Sequence, residues 1–263
     1  MHRNHNYQNK FQQHKKRKKF DNLIFGKQPV LELLKTDKTV DKILIQAGSE
    51  SDAIFEIRKI ASQKNIPLKY VPVEKLNTLT GGIHQGIIAF TSEIQFQKTA
   101  DVLQYVIEQG STPFFLLLDG ITDVRNFGAI ARTAYAAGVH ALIIATNDAA
   151  PINEEAMKTS AGALHHLAVC REKNIVEIIR YLKLNGLQIL GADAHANMFL
   201  DEADLKIPLC IVMGSEDEGI QNQIKNILDY SIKIPMNQQF DSYNVSVAAG
   251  MILYETMRQR KKL

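Results

Sequence analysis

Short, wholly apolar runs interleaved with helical patterns constrain this chain more than any other feature. Phe114–Leu118, Ala141–Ala145 and Leu209–Met213 each run five residues without a charged side chain. A run of that length without alternation marks a strand covered on both faces. Further strands are predicted at Leu167–Cys170, Leu187–Gly191 and Ser231–Ile234. Between them lie helical patterns at Gly128–Ala137, Glu154–Thr159, Asn174–Leu184, Gln221–Leu228 and Asn244–Arg260. Strands alternating with helices imply the α/β class, with a mostly parallel sheet covered on both sides. Ligands of such sheets bind beyond the carboxyl ends of the strands, so chemistry is to be sought in the loops that follow these runs.

The front of the chain has a pattern of its own. From residue 21 to residue 94 we read a small β-α-β-α-β unit. Its strands are Val40–Gln46, Leu68–Val71 and Gly86–Thr91. Its helix Asp52–Lys64 places Ile54, Ile57, Ile60 and Ala61 on one face. Residues 95–112 form a linker, polar around a modest helix at Ala100–Glu108 and closing on Gly110-Ser111-Thr112-Pro113. The larger α/β unit then occupies residues 113–263.

Charge is distributed unevenly. The net charge is +3, but residues 1–20 hold seven basic side chains and no acidic one, leaving 24 basic against 28 acidic side chains in the rest. Such a tail cannot bury enough apolar surface to fold alone, and it is expected to be disordered. Basic arms add salt-sensitive affinity for a phosphate backbone; the alternative is a tail that only aids solubility. No apolar run approaches a membrane span, and the polar, basic N-terminus is no secretory signal. A cytoplasmic, reducing location is the resulting expectation. Cys170 and Cys210 stand apart inside apolar runs, without metal-ligand spacing, and read as core residues.

Three loops could carry chemistry. Asp119 to Arg132 joins a strand to a helix of small residues, whose Gly128, Ala129, Ala131 and Ala134 allow close packing. Asn126 and Arg132 could look from it into one cleft, or Asn126 could merely cap the helix. In Gly214-Ser215-Glu216-Asp217-Glu218-Gly219, Gly214 permits a close backbone approach to a ligand, and Ser215 with Glu218 reads as a capping box. Its three carboxylates raise a Mg²⁺ site, but further ligands are lacking and no metal is expected. The third loop, Ile234 to Asn244, brings Ser242 and Asn244 to a helix start, as caps or as hydrogen-bonding groups. The chain has no GxGxxG after a strand, no GxxxxGK[ST], no GxSxG and no HExxH, which counts against dinucleotide, P-loop, α/β-hydrolase and zincin chemistry. His165-His166 reads as structural.

Taken together, Asn126-Phe127-Gly128-Ala129-Ile130-Ala131-Arg132, Met213-Gly214-Ser215-Glu216-Asp217-Glu218-Gly219 and Ile234-Pro235-Met236 with Ser242-Tyr243-Asn244-Val245-Ser246-Val247-Ala248 resemble the three ordered motifs of the SpoU (TrmH-type, SPOUT superfamily) RNA ribose 2′-O-methyltransferases. The front unit, with Phe25-Gly26-Lys27 and His84-Gln85-Gly86, resembles the L30e-like RNA-binding domain of the branch that methylates a guanosine of 23S rRNA. The resemblance implies an α/β-knot domain with a deep trefoil knot, a homodimer, S-adenosyl-L-methionine as cofactor and RNA as substrate. It also implies that Gly214, Ile234, Met236 and Tyr243 line the cofactor pocket, and that Asn126, Arg132, Glu216, Ser242 and Asn244 form the catalytic cluster. Two positions depart from the family pattern: Gln238 stands where Gly is frequent, and Tyr243 where Leu is usual. A tRNA methyltransferase of the same fold and a non-catalytic RNA-binding or ribosome-assembly factor are the alternatives.

Overall fold

In the front unit β1 (Leu23–Phe25), α1 (Lys27–Lys35), β2 (Val40–Gln46), α2 (Asp52–Gln63), β3 (Leu68–Val71), α3 (Val73–Leu79) and β4 (Ile87–Thr91) follow one another. The structure, a computed structural model, describes residues 22–237 and 242–261. The basic tail of residues 1–20 and Gln238 therefore lie outside the described residues. The sheet order is β1-β4-β2-β3, with only β2 and β3 parallel. Ser51 caps α2 by accepting from the Ile54 N–H at 3.4 Å, and the buried face is Ile54, Ile57 and Ala61 as their spacing predicts. Strand β1 and helix α3 carry no sequence signal. The strand is three residues long, and the helix buries only Leu76, so neither has room for a period.

The second unit contains α4 (Thr99–Glu108), β5 (Phe114–Leu118), α5 (Val124–Ala136), β6 (Ala141–Ala145), α6 (Glu154–Thr159), β7 (Ala168–Glu172), α7 (Ile175–Leu184), β8 (Gln188–Ala192), β9 (Met198–Phe199), β10 (Leu209–Met213), α8 (Asn222–Lys225), β11 (Tyr230–Lys233) and α9 (Val245–Arg260). Its sheet runs β7-β6-β5-β10-β8-β11-β9, and every pairing is parallel. All residues of β5 and β10 are buried, as continuous apolar runs require of central strands. One face packs on α5 and α9 through Phe127, Ile130, Ala249 and Leu253; the other packs on α4 and α7 through Leu103, Val106, Ile179 and Leu182. Helix α4 lies in the segment expected to be a linker. It is part of this core, because its apolar stripe Val102, Leu103 and Val106 finds Phe115, Leu117 and Cys170 to cover. Both cysteines are free and buried, and burial pushes each thiol up to about 12, so neither is reactive near neutral pH.

Helix α5 begins four residues before its apolar spacing does. The Asp123 carboxylate accepts from the N–H groups of Arg125 (2.9 Å) and Asn126 (2.8 Å) and so forms the N-cap. Asn126 is thus freed from capping. The two units meet at Arg171 on β7, which lies over the Phe96 ring at 3.4 Å. It donates to the Asp41 carbonyl on β2 at 2.8 Å and pairs with the Asp41 carboxylate. Among the described residues no helix is long and apolar enough to cross a membrane.

The small-residue face of α5 has a measurable consequence. A Cβ on Gly128 would stand 2.7 Å from the Thr159 Cβ and 3.0 Å from the Ala156 carbonyl oxygen on α6. Gly128→Ala should therefore destabilise the protein by about 1–3 kcal/mol, read as a lower urea midpoint with an unchanged slope.

Candidate active site

Strands β10, β8 and β11 are parallel neighbours, so the loops that leave them emerge at one edge of the sheet. The chain reverses its direction of winding here. It runs from β5 out to β6 and β7, returns to β8 beyond a gap, and later fills that gap with β10. Such a switch point opens a crevice at the carboxyl ends of the strands. A cavity of about 350 Å³ lies there. Met213, Ile232, Ile234, Val245, Ala248 and Ile252 give it an apolar floor, and its rim carries Asp193, Lys225, Glu216 and Ser242.

Gly214 is indispensable at this edge for a reason that its position in a loop did not reveal. A Cβ there would lie 2.1 Å from the carbonyl carbon of Gly219 and 2.3 Å from the Ile220 nitrogen. The chain itself, returning at Gly219, makes the close approach. Residues 215–219 close into a tight turn, with Ser215 N donating to Gly219 O (3.2 Å) and Gly219 N to Ser215 O (3.0 Å). Ser215 Oγ accepts from Glu218 N at 3.2 Å, one half of the expected capping box. The helix begins only at Asn222, because the turn consumes the residues between. Asp119, missed in the sequence, braces the turn from the end of β5. It is 3% exposed and accepts from Gln221 N (2.7 Å) and Gln221 Nε2 (2.9 Å). Burial raises its carboxyl above the ordinary range, against the lowering effect of the Gln221 bonds, and Glu218 adds to the rise. An Asp-Gly pair after a strand reads only as a turn, so nothing local marks this role.

The turn presents Glu216 to two asparagines from distant segments. Glu216 Oε1 accepts from Asn126 Nδ2 (3.1 Å), Asn244 Nδ2 (2.6 Å) and the Val245 N–H (3.2 Å). Asn244 Nδ2 also donates to Asn126 Oδ1 at 3.2 Å. At its other end Asn244 caps α9, its Oδ1 accepting from the N–H groups of Ser246 (3.0 Å) and Val247 (3.4 Å). Both readings of Asn244, cap and site residue, therefore hold at once. Its amide is fully engaged, which leaves it to fix geometry rather than to touch a ligand.

Of the other expected residues, Gly214, Ile234, Met236, Tyr243 and Ser242 line the cavity. Tyr243 bonds by its hydroxyl to the Pro235 carbonyl at 3.1 Å, so its ring bridges the two ends of the β11–α9 loop. Arg132 stands apart. Six residues turn an α-helix by about 600°, which leaves Arg132 some 120° round α5 from Asn126. It is exposed, does not line the cavity, and has no hydrogen-bond or ion-pair partner among the described residues. Within one chain the pair does not share a cleft. Among the described residues no group of three or more His, Cys, Asp or Glu side chains could hold a metal ion. His166 stacks on Tyr135 at 5.6 Å between ring centroids.

Comparison with known proteins accounts for this arrangement. Residues 113–254 match the model of the SpoU rRNA Methylase family, and residues 23–97 match that of the RNA 2′-O ribose methyltransferase substrate-binding domain. YacO of Bacillus subtilis, assigned to the TrmH family of tRNA/rRNA methyltransferases, is 33% identical over 237 residues, which cover 90% of this chain and 95% of that one. A protein of Staphylococcus saprophyticus assigned to the same family is 36% identical over 238 residues, covering 90% and 96%. Among solved structures, the SpoU methyltransferase AviRb of Streptomyces viridochromogenes, in complex with AdoMet, shares the fold at a TM-score of 0.58, with 24% identity and 90% of both chains covered. The A. aeolicus TrmH/SpoU tRNA modifying enzyme is 29% identical, with a TM-score of 0.53, over 61% of this chain and 84% of that one. The chain belongs to the SpoU family of RNA methyltransferases.

Proposed function

We propose that this enzyme methylates the ribose 2′-OH of a guanosine in 23S rRNA, with S-adenosyl-L-methionine as donor, as a cytoplasmic homodimer that uses no metal. The observation that carries the reading is the convergence of Asn126, Glu216 and Asn244, from three separate segments, at the mouth of the cavity. The cavity suits the cofactor on two counts. Its volume of about 350 Å³ lies in the range of small-molecule sites. Its apolar floor can take a base, while the carboxylates of Glu216, Asp217 and Glu218 on its lining suit a cationic ligand; Asp193 beside them is paired with Lys225 at 2.9 Å. The bound cofactor supplies an electrophilic methyl group on a sulfonium.

The residues then divide into a frame and a set of free groups. Glu216 Oε1 and the amides of the two asparagines bond to one another, so they hold the mouth of the cavity in one shape. Ser242 and Arg132 have no partner among the described residues and are free for the substrate. In this reading Ser242 orients the ribose, while Arg132 grips a phosphate with its planar fork and polarises the hydroxyl. A guanidinium, with a pKa above about 12, stays protonated and is no base. The ribose oxygen would take the methyl as its bond to sulfur breaks, leaving a neutral thioether, with the hydroxyl proton released to solvent water; holding that hydroxyl in line at about 3–3.5 Å would supply much of the rate. Because Arg132 faces away from its own cavity, a second copy completes the site. The outer face of α9, with Val247 48% and Tyr254 67% exposed, is the apolar surface available to it. The trefoil knot implied by the family pattern belongs to the same proposal, as does RNA binding by the basic tail. A tRNA substrate is the second reading, favoured by the likeness to the A. aeolicus tRNA modifying enzyme; the resemblance of the front unit's motifs to the branch that acts on ribosomal RNA supports the first.

Mapping 2′-O-methyl marks in RNA from cells lacking the gene tests the assignment: a mark lost from 23S rRNA supports it, and one lost only from tRNA replaces it with the second reading. Arg132→Lys keeps the charge but loses the fork, and should abolish most turnover while calorimetry finds cofactor affinity little changed. Near-normal turnover would remove Arg132 from the mechanism. Asn244→Ser keeps a good cap but loses the amide donor. Its melting temperature should fall only slightly, whereas kcat should drop at least tenfold. Deleting residues 1–20 should weaken RNA binding and flatten its dependence on salt; an unchanged slope would show that the tail does not touch phosphate.

A further inference from the structure

The two units are joined without slack. Residues 92–97 alternate between covered and exposed, as a strand does, and Ile94 and Phe96 turn inward onto the core of the larger unit. Ser92 is still held by the front unit, its N–H donating to the Thr39 carbonyl at 2.9 Å. Gln97 already pairs with the outer edge of β7, its N–H donating to the Val169 carbonyl at 3.0 Å. Thr99, wholly buried, donates to Glu172 Oε1 from its N–H (3.0 Å) and from its hydroxyl (2.6 Å). The connection is thus built onto the edge of the larger sheet and is no tether.

One contact joins the front unit, the connection and the larger unit. Arg171 on β7 donates from Nη1 to the Asp41 carbonyl at 2.8 Å, its Nη2 pairs with the Asp41 carboxylate, and its guanidinium lies 3.4 Å from the centroid of the Phe96 ring. The side chains of Arg171 and Asp41 are only 9% and 7% exposed, so water does not loosen the pair. Asp41 is the extra residue at a bulge in β2, between the pairs Val40–Thr91 and Lys42–Phe90. A bulge takes a residue out of the ladder and re-aims it, here toward the other unit. A planar fork that grips a carbonyl and a carboxylate while stacked on a ring fixes direction as well as distance. Folding of each unit does not demand this contact. The front unit has cores of its own around Ile43 and Leu76, and the larger unit has one on each face of its sheet. Units with separate cores ordinarily move on one another; what the contact supplies is a fixed placement.

Placement matters when a polymer is held in one unit and altered in the other. The front unit matches a substrate-binding model, while the cavity and the loops around it lie in the larger unit. A tilt of about 10° at the joint would carry the far side of a small domain, roughly 25 Å away, through about 4 Å, close to the rise of about 3.4 Å per nucleotide along a strand. We propose that the joint of Arg171, Asp41 and Phe96 determines which ribose of the bound RNA is methylated, by fixing the span between the unit that holds the RNA and the site that transfers the methyl. Arg171 is then a positioning residue, which touches neither RNA nor cofactor. The proposal rests on the reading that the protein methylates RNA, and it adds how one nucleotide is chosen among its neighbours.

The test uses the full-length protein, a transcript of 23S rRNA and a pool of tRNA transcripts. Methyl transfer is followed with a radiolabelled donor, the modified riboses are mapped by their resistance to alkaline hydrolysis, and RNA and cofactor binding are measured separately. Arg171→Met combined with Asp41→Leu replaces the buried pair by an apolar one, so that no charge is left unpaired. This double variant should melt near the parent and bind RNA and cofactor as the parent does. Its kcat at the parent's target ribose should fall about tenfold with KM little changed, and marks should appear on neighbouring riboses. Arg171→Lys, which keeps the charge without the fork, should lie between the two. A folded double variant that modifies the parent's ribose alone, at the parent's rate, overturns the proposal and leaves the methyltransferase reading standing. So does a loss of rate matched by a loss of RNA or cofactor binding. If the double variant does not fold, Asp41→Asn, which keeps the carbonyl but removes the charge, carries the same measurements; if that variant also unfolds, the contact belongs to the core and the proposal falls. A folded parent that binds cofactor but methylates neither RNA overturns the functional reading itself, and this proposal with it.

Discussion

Strand β10 is the member on which the rest of the larger unit depends. It enters the sheet last but one, pairs with β5 on one side and β8 on the other, and is buried along its whole length. Two halves of the sheet that would otherwise be separate are joined by these five residues. Because β10 ends level with β5 and β8, whatever follows it is delivered to the open edge. There Gly214 lets the chain fold back onto itself at a distance no side chain would allow.

From that close turn the site follows with little freedom. Ser215 and Gly219 close the turn, Asp119 ties its far end to β5, and Glu216 is left as its projecting group. A carboxylate oxygen that accepts three donors is a strong local constraint, since each bond is charge-assisted. It fastens the starts of α5 and α9 to the loop after β10. The shape of the cavity mouth is set by polar atoms that never need to meet the substrate, which is what a preorganised site requires.

The two units contribute differently. The larger one offers a pocket with an apolar floor and an acidic rim, suited to a small cationic ligand. The front unit matches the model of the RNA 2′-O ribose methyltransferase substrate-binding domain. Arg171, buried between them over Phe96 and against Asp41, holds one to the other. A buried pair of this kind contributes little net stability, but losing one partner is costly, so it acts as a fixed joint between the two units.

Much of this was legible in the residues. The apolar runs at Phe114–Leu118 and Leu209–Met213 predicted buried parallel strands, and Asn244, read as a cap or a hydrogen-bonding group, stands where α9 begins. These are local matters, decided by side-chain size, periodicity and hydrogen-bonding type within a few residues. Other features were not legible, because they depend on what a segment meets. Helix α4 looked like a linker until strands β5 and β7 were there to receive its stripe. Asn126 could be read either as a cap or as a group facing a cleft until Asp123 took the capping place. Asp119 looked like any turn residue until Gln221 came back beside it, and nothing local showed that Gly214, which lines the cavity, also makes room for Gly219. By itself the sequence determined the class of fold, the order of the larger elements and the chemical types available at the strand ends. The tertiary structure alone decided which of those groups are spent on one another and which, like Arg132 and Ser242, remain free, because that depends on distances between residues up to 118 apart in the chain.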